Sequence, residues 1–162
     1  MATYFVQAQQ QQLFENDWYI TKISIDNEDF FPPNYDEEIG IRYHTHFENE
    51  FFITSWCNSV VGEIDNLNDT DFIITTASIT MMGCPYPDYD NYDNIYFNVF
   101  SGYENELFQY EISSDSNGLT LIITNPSGNK VFYGNQFLKT GEYENNNIRV
   151  YPNPISDKVT LS

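Results

Sequence analysis

The clearest regularity along the chain is a period of two between residues 39 and 47. Ile39, Ile41, Tyr43, Thr45 and Phe47 share one face, and Gly40, Arg42, His44 and His46 share the other. That alternation predicts a half-buried strand. Residues 18–25 (WYITKISI) are dense in β-branched and aromatic side chains and predict an earlier strand. Further strands are expected over 51–57, 60–64 and 72–82, with a turn at 48–50 and an acidic turn at 65–71 between them. Residues 107–113, 119–125 and 130–135, each bounded by turn residues, read as a meander of antiparallel strands. Loops are expected over 26–38, which holds Pro32-Pro33-Asn34, and over 83–94 (GCPYPDYDNYDN). Residues 95–100 are ambiguous: their composition favours a strand, but Tyr92, Ile95, Tyr96 and Val99 also fall at helical spacing. Many short strands without a long helical pattern predict a mostly β fold, a small antiparallel barrel or sandwich.

Composition agrees with this. Tyr and Phe number 13 each, aromatic residues make up 17% of the chain, and both types suit pleated, half-buried surfaces. The 162 residues suffice for one domain with extensions. Charge narrows the partners: 24 acids against 6 Lys and Arg give a formal net charge of −18. Such a surface repels phosphate backbones and anionic lipid, so no nucleic-acid partner is expected. No stretch reaches the roughly 20 apolar residues that span a bilayer.

Cys57 and Cys84 are the only cysteines. Two cysteines allow one bridge, worth about 3–4 kcal/mol on the chain-entropy model, or else two buried thiols. At the N-terminus, residues 1–8 are mildly apolar and end in Val6-Gln7-Ala8, a pattern that suits signal peptidase with Gln9 as the first mature residue. They read as the remnant of a signal peptide, and residues 9–12 as a polar, flexible leader. The resulting division is 1–12 remnant and leader, 13–135 a β domain, 136–147 a linker, and 148–162 the start of a second unit.

Two resemblances extend this reading. Cys57-Asn58-Ser59-Val60-Val61-Gly62 and Thr80-Met81-Met82-Gly83-Cys84, with Trp18 early in the first strand, resemble the C-N-x-x-x-G and T-x-M-[AG]-C segments of META/HslJ-like domains. Tyr110-Glu111-Ile112 and Leu119-Thr120-Leu121 fall where that family places its last strands. Trp56 stands where the family often has Gly. The resemblance implies an extracytoplasmic, lipocalin-like antiparallel barrel with at most one short helix, after the second cysteine, and no catalytic site. It also favours the bridge over free thiols. The second resemblance covers residues 148–162. Tyr151-Pro152-Asn153-Pro154, then Asp157 and the alternating Val159 and Leu161, is similar to the opening of a type A sorting domain of the Bacteroidota type IX secretion system. Its two prolines cannot donate ladder hydrogen bonds and fix the entry turn. That likeness implies export through the periplasm to the medium or outer cell surface, with the type IX machinery as a partner through a longer tail.

Chemistry-bearing constellations are sparse. His44-Thr45-His46 places two imidazoles on one strand face, a start towards a zinc or copper site that needs a third ligand. Asp88, Asp90 and Asp93 offer oxygen ligands without the EF-hand spacing, as do Asp65, Asp69 and Asp71. No nucleophile elbow, phosphate loop or H-E-x-x-H occurs. The expectation is therefore a non-catalytic binding or structural module with no cofactor beyond a surface divalent cation. The alternatives are a lipocalin-like carrier of a small apolar or glycan ligand and a carboxylate-pair hydrolase, and the ligand itself is not specified.

Overall fold

The computed structural model describes residues 6–34, 43–55 and 57–137. A nine-stranded antiparallel sheet closes on itself into a barrel. Its strands are β1 (Trp18–Ile25), β2 (Glu28–Phe30), β3 (His44–Glu48), β4 (Phe51–Ser55), β5 (Ser59–Asp65), β6 (Asp71–Ile79), β7 (Leu107–Asp115), β8 (Gly118–Thr124) and β9 (Lys130–Gly134). Helix α1 (Val6–Glu15) precedes β1, and helix α2 (Pro87–Phe100) links β6 to β7. β3 through β9 pair in sequence order, and β1 meets β3 on one side and β9 on the other. The seam aligns Tyr19 with Gly134 and Ser24 with Lys130.

Tight turns enforce the register. Asp26-Asn27 and Asn49-Glu50 are two-residue hairpin loops with positive φ at both positions. Such primed turns match the twist of the flanking strands. The β7–β8 hairpin ends on Gly118 at φ +121°, where a Cβ would lie 2.5 Å from Asn135 Oδ1. That oxygen is already the acceptor for Leu119 N.

The expected β barrel is present, and its 107–135 meander is β7 to β9. Four local expectations are corrected. Residues 9–12, expected as a flexible leader, are part of α1, which begins ahead of the expected start of structure at residue 13. There Leu13 is fully buried and its carbonyl accepts Trp18 Nε1 at 3.0 Å, which satisfies an end group of the helix. The loop expected over 26–38 contains β2. Residues 80–82 have left the sheet, since β6 stops at Ile79. The loop expected over 83–94 is helical from Pro87, which makes α2 14 residues long rather than short, and α1 brings the helices among the described residues to two rather than at most one. Residues 39–42, the sorting motif (Tyr151, Pro152, Asn153, Pro154, Asp157) and residues 1–5 lie outside the described residues.

The formation of α2 follows from Pro87 in its first turn, which presets φ, and from Asp88 and Asp90 near the positive end of the helix dipole. Its aromatic stripe settles the matter. Tyr89, Tyr92, Tyr96 and Phe100 recur three or four residues apart, and all are buried. Phe100 packs on Phe52 (4.8 Å between ring centres) and on Phe108 (5.8 Å), and Phe108 stacks on Phe72 (5.7 Å). Burying such rings stabilises by more than the weak β preference of tyrosine and phenylalanine opposes.

The barrel interior also holds a chain of hydroxyls. Thr45 and Thr54, cross-strand partners on β3 and β4, have their Oγ1 atoms 2.9 Å apart. Thr54 Oγ1 lies 2.7 Å from Tyr96 OH, which lies 3.0 Å from Tyr133 OH on β9. The network joins α2 to both sides of the seam strand and satisfies polar groups that water cannot reach. Burial pushes the Tyr96 phenol up to about 12, and pushes that of Tyr133 upward as well. Replacing Tyr96 with Phe is expected to cost about 1–3 kcal/mol, since Thr54 and Tyr133 each lose a buried partner. Urea unfolding of the two proteins measures this difference.

Candidate functional site

Two places gather chemistry-bearing side chains. The first lies where the turn from β4 to β5 meets the segment leading into α2. Cys57 and Cys84 form a disulfide across it, with Cα atoms 5.7 Å apart. Beside the bridge, Asn58 is held from three directions. Its backbone N and Nδ2 both donate to Asp93 Oδ2, at 3.1 and 3.0 Å, and its Oδ1 accepts Met82 N at 2.5 Å. Ser59 N donates to Thr80 Oγ1 and Thr80 N to Ser59 O. Cys84 N donates to Asp90 Oδ1 at 2.9 Å. The two motif segments, 57–62 and 80–84, therefore interlock residue by residue.

Asp93 is the buried acid of this junction. It is 2% exposed, its Oδ2 lies 3.5 Å from Cys84 Sγ, and its Oδ1 is buried without a hydrogen-bond partner among the described residues. Burial pushes the carboxyl up to about 6 from its ordinary 3.8, against the two Asn58 hydrogen bonds, while the nearby Asp90 charge adds to the rise. Cys57, Cys84 and Asp93 lie close enough to share an ion. With the sulfurs joined to each other, the thiolates that a metal would take are absent.

The shift at Asp93 has a definite sign. The folded state holds this proton more tightly than the unfolded chain, so protonation favours folding. The carboxyl is a liability above about pH 6, and it is relieved as pH falls from 6 towards 3.8. Wild-type protein is therefore expected to gain about 2 kcal/mol relative to Asp93→Asn between pH 8 and pH 4. Paired unfolding curves at the two pH values test this, and parallel behaviour would refute it.

Asp88, Asp90 and Asp93 do not converge on one ion position. They lie on successive sides of α2, with Asp88 exposed, Asp90 bonded to Cys84 N and Asp93 turned inward. In the acidic turn, Asp71 accepts from Asn68 Nδ2 and from Thr70 Oγ1, and Asn68 Oδ1 accepts from the backbone of Thr70 and Asp71. That turn is organised by its own side chains.

The second place is the outer face of β3. His44 and His46 stack with ring centres 5.4 Å apart, and Tyr19 of β1 flanks His44 at 5.5 Å. Asp17 Oδ1 lies 2.9 Å from His44 Nε2, and Glu48 Oε2 lies 4.0 Å from His46 Nε2. β1 brings Asp17 here because Trp18 and Tyr19 pair with Thr45 and His44.

Sequence reasoning identified the cysteines and the histidines but missed the Asn58–Asp93 pair and the threonine–tyrosine network. A signal for the pair existed in the lone acid at position 93 within the helical stripe of Tyr89, Tyr92 and Tyr96.

Three clefts of about 300 to 500 Å³ lie on the outer surface. Among the described residues, no helix is long and apolar enough to cross a membrane.

No protein-family model matches the chain, and no curated protein matches it. Its fold is similar to that of a protein from Burkholderia xenovorans whose structure was determined by NMR. The two are 12% identical with a TM-score of 0.58, over 81% of this chain and 88% of the other, and the likeness is one of fold.

Proposed function

We propose that this chain is a secreted or cell-surface module of the META/HslJ-like kind, non-catalytic, and exported through the type IX secretion system by a tail that opens at Tyr151. The observation that carries this reading is the junction at Cys57, Asn58, Met82 and Cys84. The two segments that resemble the family meet there through a disulfide and a short Asn58–Met82 hydrogen bond. A bridge of this kind persists in oxidising compartments, which supports a location beyond the cytoplasm. The filled interior, with Trp18, Phe52, Phe72, Tyr96, Phe100, Phe108 and Tyr133 each under 2% exposed, favours a structural or surface-binding role over that of an internal carrier.

The test is the location of the natural gene product in cells that make it. Medium or outer-surface protein in the normal strain, with periplasmic retention when the type IX outer-membrane pore is disrupted, is the expected result. Cytoplasmic protein with Cys57 and Cys84 reduced would sink the export reading.

A further inference from the structure

We propose that the Cys57–Cys84 bridge is a thiol–disulfide exchange site open to an external dithiol, in which Cys57 is the sulfur attacked, Cys84 departs, and the charge on Asp93 gates the step. One dithiol exchanges with one bridge, so the site responds to redox conditions without turnover. This goes beyond the export reading and does not depend on it.

The two sulfurs have unequal surroundings. Both cysteines are half-buried, so an incoming thiol has access to the bridge. Among the described residues, the polar contacts of the bridge fall on Cys84: Asp93 Oδ2 lies 3.5 Å from its Sγ and Asn58 Nδ2 lies 4.0 Å from it. The departing sulfur carries the developing negative charge, so the environment of Cys84 sets how readily it leaves. The Asn58 amide N–H favours that charge. An ionised Asp93 opposes it, because two like charges a few ångströms apart in a buried site repel strongly. The step balances without any further reagent. A thiolate of the dithiol attacks Cys57 Sγ, the S–S bond breaks, and its electron pair leaves on Cys84 Sγ, which then takes a proton from water. The second thiolate of the reductant attacks its own sulfur in the mixed disulfide and expels Cys57, which is protonated in turn. The dithiol ends as a disulfide and the protein as two thiols.

The gate works in a defined pH range. Asp93 is 2% exposed, its Oδ1 has no hydrogen-bond partner, and no cationic side chain pairs with it among the described residues. Asp90 adds a like charge from the same helix, and burial brings the Asp93 carboxyl up to about 6. The other titratable groups that face it are the Tyr43 and Tyr96 phenols, which burial pushes upward and keeps neutral between pH 5 and pH 8. Below about pH 6 the carboxyl is neutral and Cys84 leaves freely; above it the carboxylate holds the bridge closed. Opening the bridge leaves the two segments in place, since Asn58 remains bonded to Asp93 and Met82, and Ser59 to Thr80. The thiols stay adjacent, ready to close again.

The test follows reduction of the bridge by dithiothreitol from pH 5 to pH 8, with acid quench, alkylation and mass analysis. Each rate is divided by the thiolate fraction of the reductant, so that only the protein's own titration remains. The corrected wild-type rate is expected to fall by about tenfold or more as pH rises through 6. Asp93→Asn, neutral throughout, should match wild type at pH 5 and keep that rate at pH 8. Asp90→Asn should retain the fall, and a flat profile there would move the gate to Asp90 and overturn the proposal. Glutathione, a monothiol, traps the mixed disulfide, and peptide mapping should find the adduct on Cys57; an adduct on Cys84 would overturn the assigned direction. Circular dichroism checks the fold of the variants. The wild-type profile is decisive without them, since a corrected rate that stays flat from pH 5 to pH 8 overturns the gate.

Discussion

Replacing Trp18 with Ala is expected to destabilise the domain by about 3–5 kcal/mol, a large part of the 5–15 kcal/mol that holds a typical domain together. Trp18 is fully buried at the start of β1, paired with Thr45 of β3. Its indole also donates Nε1–H to the Leu13 carbonyl, so truncation removes core volume and frees the end of α1. Trp18→Phe separates the two effects: it keeps most of the volume but removes the donor, and should cost about 1–2 kcal/mol. Chemical unfolding followed by far-ultraviolet circular dichroism measures both. A Trp18→Ala protein within 1 kcal/mol of wild type would mean that the barrel can collapse around the gap, contrary to a core this closely filled.

Cys57→Ser with Cys84→Ser is expected to lower stability by about 3–4 kcal/mol. The bridge spans a sequence separation of 27, and a loop of that size loses this much entropy in the unfolded chain when it is closed. The folded state should change little, because Asn58 remains bonded to Asp93 and Met82 without the sulfurs. The loss should therefore appear in the unfolding midpoint, while the circular dichroism spectrum of the native protein is preserved. Non-reducing mass analysis after alkylation establishes the bridge in the parent protein. Equal midpoints for the parent and the double variant would show that the junction is held by its hydrogen bonds alone.

Most strands were legible because alternation and β-branched density report burial on a pleated sheet directly. At residues 43–47 the expected inward set Tyr43, Thr45 and Phe47 is buried, and the outward His44 and His46 are only half covered. Helix α2 was half legible. Its aromatic spacing was visible at positions 92–99, but Tyr and Asp lean towards strands and turns when considered one at a time. Only the barrel interior, which takes up Tyr89, Tyr92, Tyr96 and Phe100 together, reverses that preference. Helix α1 left a weaker trace, since residues 9–12 are four consecutive glutamines and its inward anchor is Leu13. At the junction, the two cysteines pointed to each other, yet Asp93 could be placed beside them only once residues 87–94 were known to be helical. A loop reading presents Asp88, Asp90 and Asp93 as equivalents, and the helix distributes them to three different tasks.

The seam between β1 and β9 bears on how the domain would respond to tension. Tyr19 sits opposite Gly134, and Asn135 Nδ2 reaches Asn16 Oδ1 at 3.2 Å, so the chain enters and leaves the barrel at the same end of that pair. A pull applied through the two exits would load the Asn16–Asn135 hydrogen bond first and then the ladder one rung at a time. That is unzipping, and it needs far less force than shearing all rungs together. A domain fastened at one exit and drawn by the other would therefore open at its seam before any hairpin yields. Anchoring it through the Asn49-Glu50 turn instead would load strands away from that seam.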